Sequence, residues 1–109
     1  MKINLLIFIS SIKKQKENTL GKVVIKTFES TIRPVKGDIL DDPGFHPAFH
    51  NGYEVVKVTI NYALNECFVS LSPLDLEREE IEMETYIDRL KENDWRVVSK
   101  EELKNMFTE

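Results

Sequence analysis

Only one cysteine, Cys67, is present, so the chain cannot close an internal disulfide. That scarcity points to a reducing compartment. Long apolar runs are also missing. Ile3-Asn4-Leu5-Leu6-Ile7-Phe8-Ile9 is too short for a membrane span. Preceded by Lys2, it superficially resembles a secretion signal, but it lacks a small-residue cleavage site and Lys13, Lys14 and Lys16 follow it. Its Ile, Leu and Phe content suits a buried strand. The expected location is therefore cytoplasmic, with no membrane partner. No Gly-rich phosphate loop, nucleophile elbow or serine–lysine pair in a matching context occurs, which removes the common signatures of phosphate binding and hydrolysis. Repeats and low-complexity tracts are absent as well.

What is present reads as one globular domain over 1–109, with 41% apolar and 31% charged residues. Its length suits one hydrophobic core and is too short for two. Charge divides the chain. Residues 1–72 hold nine Lys/Arg and seven Asp/Glu, a net of +2, whereas residues 73–109 hold six and twelve, a net of -6. The expectation is a near-neutral sheet half followed by an acidic helical extension over 73–109. A nucleic-acid footprint would look basic, so that partner is disfavoured.

Ile3 to Ser10 predicts a strand. A polar hairpin loop, Ile12 to Gly21, precedes a β-branched strand over Lys22 to Ile32. Pro34-Val35-Lys36-Gly37-Asp38 reads as a turn, with Ile39 and Leu40 opening a short strand. Asp41 to Gly52 is irregular, punctuated by Pro43, Gly44, Pro47 and Asn51-Gly52. Over Tyr53 to Tyr62, strict alternation puts Val56, Val58, Ile60 and Tyr62 on one face and Lys57, Thr59 and Asn61 on the other. A turn at Ala63-Leu64-Asn65-Glu66 leads to a strand over Cys67 to Leu71. With loops joining all of these, antiparallel pairing is expected.

Ser72-Pro73-Leu74-Asp75 then predicts a helix start, with Leu76, Met83, Ile87 and Leu90 on one stripe, Tyr86 beside it, and an end at Asn93-Asp94. Trp95 to Val98 reads as either an added edge strand or an extended linker. Ser99-Lys100-Glu101-Glu102 is a capping box for a final helix with Leu103, Met106 and Phe107. The predicted class is α+β: a small antiparallel β-barrel or half-barrel of about five strands, followed by one or two C-terminal helices.

The turn Pro34-Val35-Lys36-Gly37-Asp38 and the strand Tyr53-Glu54-Val55-Val56-Lys57-Val58 resemble small barrels of the Src-homology-three type. They are also similar to those of short, uncharacterised bacterial and phage proteins. The resemblance covers residues 22–72. It implies a fold and no activity.

The loop Asp41 to Gly52 is the first place to seek a site. It holds both histidines, two aspartates, Phe45 and Phe49. His46 and His50 are four apart, so on one helical turn they would project together, with Asp41 or Asp42 as a third metal ligand. Two histidines without a fixed third ligand are a weak metal pattern. A protein-binding loop presenting Phe45, His46, Phe49 and His50 is the favoured function, weighed against ordinary packing of both phenylalanines on the sheet. The partner would be an unidentified protein or a second copy in a homodimer, with no cofactor. A small metal-dependent enzyme using His46 and His50 is one alternative. A nucleic-acid accessory protein is the other, using Lys13, Lys14, Lys16 and Lys22, although Glu17 interrupts that patch and no aromatic interleaves it. Glu77, Glu79, Glu80, Glu82 and Glu84 form an acidic run that could dock a basic partner or mimic a phosphate backbone, but it reads first as a solvated face near a helix N-terminus. Cys67 reads as a small core residue.

Overall fold

The computed structural model describes residues 1–11, 22–45, 52–72, 74–76 and 83–107. Its elements are β1 (Lys2–Ser11), β2 (Lys22–Glu29), β3 (Ile39–Leu40), β4 (Tyr53–Asn61), β5 (Glu66–Leu71), β6 (Leu74–Leu76), α1 (Met83–Glu92), β7 (Arg96–Val98) and α2 (Lys100–Phe107). They form an α+β half-barrel with strand order β3-β4-β5-β1-β2-β7, and β6 joins β1 beyond the end of β5.

The near-continuous apolar run of β1 has a direct cause. β1 is central, and it is covered on both faces. Ile3, Leu5, Ile7 and Ile9 enter the main core with Val24, Val55, Val69, Leu71, Tyr86, Leu90 and Trp95. Leu6, one residue out of phase, joins a second cluster with Val23, Ile25 and Val98, against which Leu103 of α2 packs. Asn4 shares that second face and is only 2% exposed. It escapes the cost of a buried amide because every polar atom is paired. Its Nδ2 donates to Glu66 Oε1 (2.7 Å) and to the Cys67 carbonyl (3.2 Å), and its Oδ1 accepts from Thr27 Oγ1 (2.6 Å).

The sheet is mixed, which corrects the expectation of antiparallel pairing throughout. β1 pairs antiparallel with β2, yet runs parallel to β5 and β6. The β4–β5 hairpin lies on the side of β1 away from β2. The chain from 30 to 52 is therefore a crossover, the long connection that parallel neighbours require. It carries β3, which pairs antiparallel with β4. The Pro34–Asp38 turn sits in this crossover as anticipated. Asp38 N–H donates to the Val35 carbonyl at 3.0 Å, with Gly37 at φ +99°.

Two further expectations give way to tertiary pairing. Leu74–Leu76, expected in the first turn of a helix, is a strand, and the described helix spans Met83–Glu92. β5 pairs with β1 only over Lys2 to Leu6, and β6 takes up β1 at Ile9 to Ser11. Satisfying backbone groups along a central strand outweighs the local capping signal at Ser72. The second difference is in β4. Strict alternation fails at a bulge between Val55 and Lys57. Tyr53 and Val55 are buried before it, and Val58 packs on the same core after it, so Val56 is the extra residue.

Trp95 to Val98 resolves as an edge strand, with β7 antiparallel to β2. The end of α1 explains how. Asp94 takes φ +70°, its N–H donates to the Lys91 carbonyl (3.3 Å), and the Trp95 N–H donates to the Leu90 carbonyl (3.1 Å). This is a Schellman ending, and it brings Trp95 and Leu90 into one core. Ser99 caps α2 through Oγ accepting from the Glu102 N–H at 3.0 Å.

Candidate functional site

The described part of the 41–52 loop is bound to the sheet by one carboxylate. Asp42 Oδ2 accepts from Lys26 Nζ of β2 at 2.8 Å, and both side chains are largely buried. Asp42 Oδ1 accepts from the Gly44 N–H (2.8 Å) and from Trp95 Nε1 (3.0 Å). The backbone joins in, because the Phe45 N–H donates to the Asp42 carbonyl at 2.9 Å. Asp42 thus fastens the crossover to β2 and to the segment after α1. Gly44 lies beneath the Trp95 indole, where a Cβ would come within 3.1 Å of the ring.

Phe45 is 2% exposed. Its ring meets Tyr53 edge-on at a centroid distance of 4.5 Å and tilts against Trp95 at 5.7 Å. Of the two weighed roles for this phenylalanine, the structure places it as a core anchor. Tyr53 is held in turn by its hydroxyl, 2.9 Å from that of Tyr86 on α1. Burial, then the Tyr86 hydroxyl, push the Tyr53 phenol well above its usual range.

His46, Phe49 and His50 lie outside the described residues, as does the lysine hairpin at 13–16 and the acidic run from Glu77 to Glu82. Asp41 Oδ1 accepts from the Asp42 N–H at 2.9 Å. Among the described residues, no three His, Cys, Asp or Glu side chains gather in a metal-binding group. No helix among them is long and apolar enough to cross a membrane. Cys67 is fully buried in the main core, and burial pushes its thiol up, away from the reactive thiolate.

The loop's far end is pinned too. Gly52 has φ +83°, and a Cβ there would sit 2.5 Å from the Leu40 carbonyl oxygen of β3. The described ends of the loop are thus Phe45, buried in the core, and Gly52, packed against the Leu40 carbonyl beside the β3–β4 pair.

That end of the sheet has a second property, which alternation alone did not reveal. Eight large apolar side chains are exposed among the described residues, and seven lie on β4 or on the segments that flank it. Ile32, Val35 and Ile39 lead into and form β3, Val56 and Ile60 lie on β4, and Tyr62 and Leu64 belong to the β4–β5 turn. Tyr62 is 90% exposed. Single exposed apolar residues need no explanation, but seven of eight falling on or beside one strand depart from an even scatter. The sequence signal was available: Tyr62-Ala63-Leu64 is an apolar turn where polar residues are usual. No known protein family, curated protein or solved structure matches the chain.

Proposed function

We propose that this chain is a non-catalytic protein-binding module whose contact surface is the β3–β4 end of the half-barrel, with the 41–52 loop beside it. The observation that carries this reading is the concentration of exposed apolar side chains around β4. The anchoring of the loop supports it. Asp42 and Phe45 on one side, and Gly52 on the other, hold both loop ends on a rigid scaffold, which is how binding loops gain precision.

The test is capture from the source organism's lysate by the wild type and by a triple variant, Ile60→Ser, Tyr62→Ser and Leu64→Ser. All three positions are exposed, so the variant should keep its melting temperature. It should lose the proteins the wild type retains. An identical captured set from a folded variant would overturn the β4 surface. A second variant, His46→Ala with Phe49→Ser and His50→Ala, reports the share carried by the loop.

A further inference from the structure

β4 presents two different edges along its length. β3 covers it at Tyr53 and Glu54, and the pairing extends to Val55, whose N–H donates to the Asp38 carbonyl (2.8 Å) and whose carbonyl accepts from the Gly37 N–H (2.9 Å). Beyond the bulge, Lys57 to Asn61 pair with β5 on one side. On the other side no strand among the described residues pairs with them. An open strand edge is a template for another strand, and proteins usually blunt it with charged side chains, a proline or a bulge. Here the bulge and the one charge, Lys57, lie at the start of the segment, and Val58 to Asn61 carry no charge, proline or bulge.

We infer that the open edge of β4 pairs antiparallel with β4 of a second copy of this chain, about a two-fold axis at Thr59. This rests on the protein-binding reading and names the partner. In that register Thr59 opposes Thr59 of the second copy, Val58 opposes Ile60, and Lys57 opposes Asn61. Cross-strand partners share a face, so the pairing is consistent on both sides. Val58 and Ile60 stand opposite the core residues Val69 and Cys67 of β5, and the two-fold sets apolar against apolar there. Lys57, Thr59 and Asn61 meet polar residues on the other face. The two Lys57 side chains end up four strand positions apart, about 13 Å, beyond a Debye length at physiological salt. No like charges oppose one another. Ile60, 42% exposed in the single chain, gains the cover it lacks. An isologous contact of this kind closes on itself and does not run on as a fibre.

Sedimentation velocity over a concentration series up to millimolar tests it, with three samples. The wild type should shift from one chain mass to two. Thr59→Lys alone and Thr59→Glu alone should each remain monomeric, because the two-fold sets like charges opposite. An equimolar mixture of the two should recover the dimer, since opposite charges then meet at the axis. Thr59 is exposed, so both variants should keep the wild-type melting temperature, which is measured alongside. A wild type that stays monomeric at millimolar concentration overturns the pairing, and so does a mixture that fails to recover. If the wild type stays monomeric while the Ile60, Tyr62 and Leu64 variant still loses lysate capture, self-pairing has failed and the binding surface stands. If capture is also unchanged, both have failed.

Discussion

Lys26 and Asp42 form an ion pair at 2.8 Å that joins β2 to the crossover, with the indole of Trp95 donating to the other carboxylate oxygen. Three segments distant in sequence meet at this carboxylate. Removing it strands the Lys26 ammonium and the Trp95 N–H in a largely dry place.

Asp42→Ala should therefore cost about 2–4 kcal/mol, below the top of the range for broken buried pairs because Lys26 keeps some contact with water. Asp42→Asn keeps an acceptor for Trp95 and Gly44 and should cost about half as much. Urea unfolding monitored by Trp95 fluorescence gives both values. An alanine variant within about 0.5 kcal/mol of wild type would show that the pair is not holding the crossover.

Gly52→Ala combines two penalties. The residue must keep φ +83°, and its new Cβ would meet the Leu40 carbonyl at 2.5 Å. A loss of more than about 1 kcal/mol is expected in the same assay, and hydrogen exchange at the Val55 amide, bonded to the Asp38 carbonyl, should show this edge of β4 loosening first. Gly37→Ala is the comparison, with φ +99° but open space around it, and it should cost less.

Asp94→Gly should act in the opposite direction. Asp94 occupies the left-handed position that ends α1, at φ +70°, where glycine is strain-free. A gain of roughly 0.5–1 kcal/mol is expected, offset partly by the greater freedom of glycine in the unfolded chain. A thermal melt checks the sign, and a lowered midpoint would contradict the assigned helix ending.

The Tyr53 phenol gives a pH signature. Its folded value lies above the unfolded value of about 10, chiefly through burial and next through the Tyr86 hydroxyl. The folded chain holds the proton that the unfolded chain releases, so stability is intact below about pH 10 and falls as pH rises beyond it. In Tyr53→Phe that alkaline fall should be shallower, measured as melting temperature against pH. An equal slope in both proteins would remove Tyr53 as the cause.

Sequence alone determined the local vocabulary of this protein. The apolar run of β1, the β-branched β2, the Pro34–Asp38 turn, the Ser99 cap and the stripe through Ile87 and Leu90 each follow from side-chain chemistry within a few residues. Each appears where expected, except that β2 ends at Glu29, three residues short of Ile32. The soft helix end at Asn93-Asp94 was legible for the same reason. Tertiary structure decided whatever depends on a partner far along the chain. The parallel pairing of β1 with β5 follows from where the crossover sets down β4. The strand at Leu74–Leu76 follows from the stretch of β1 left without β5. The bulge shifted the phase of β4 so that Tyr53 and Val55, as well as Val58, reach the core. The candidate site divided in the same way. A cluster of His, Asp and Phe marked 41–52 as unusual, but composition could not show that Phe45 would fill the core or that Asp42 would bind Lys26 and Trp95. Nor could it show that, among the described residues, Lys57 to Asn61 would have a strand on one side alone, because an edge is defined by the strand that does not lie beside it.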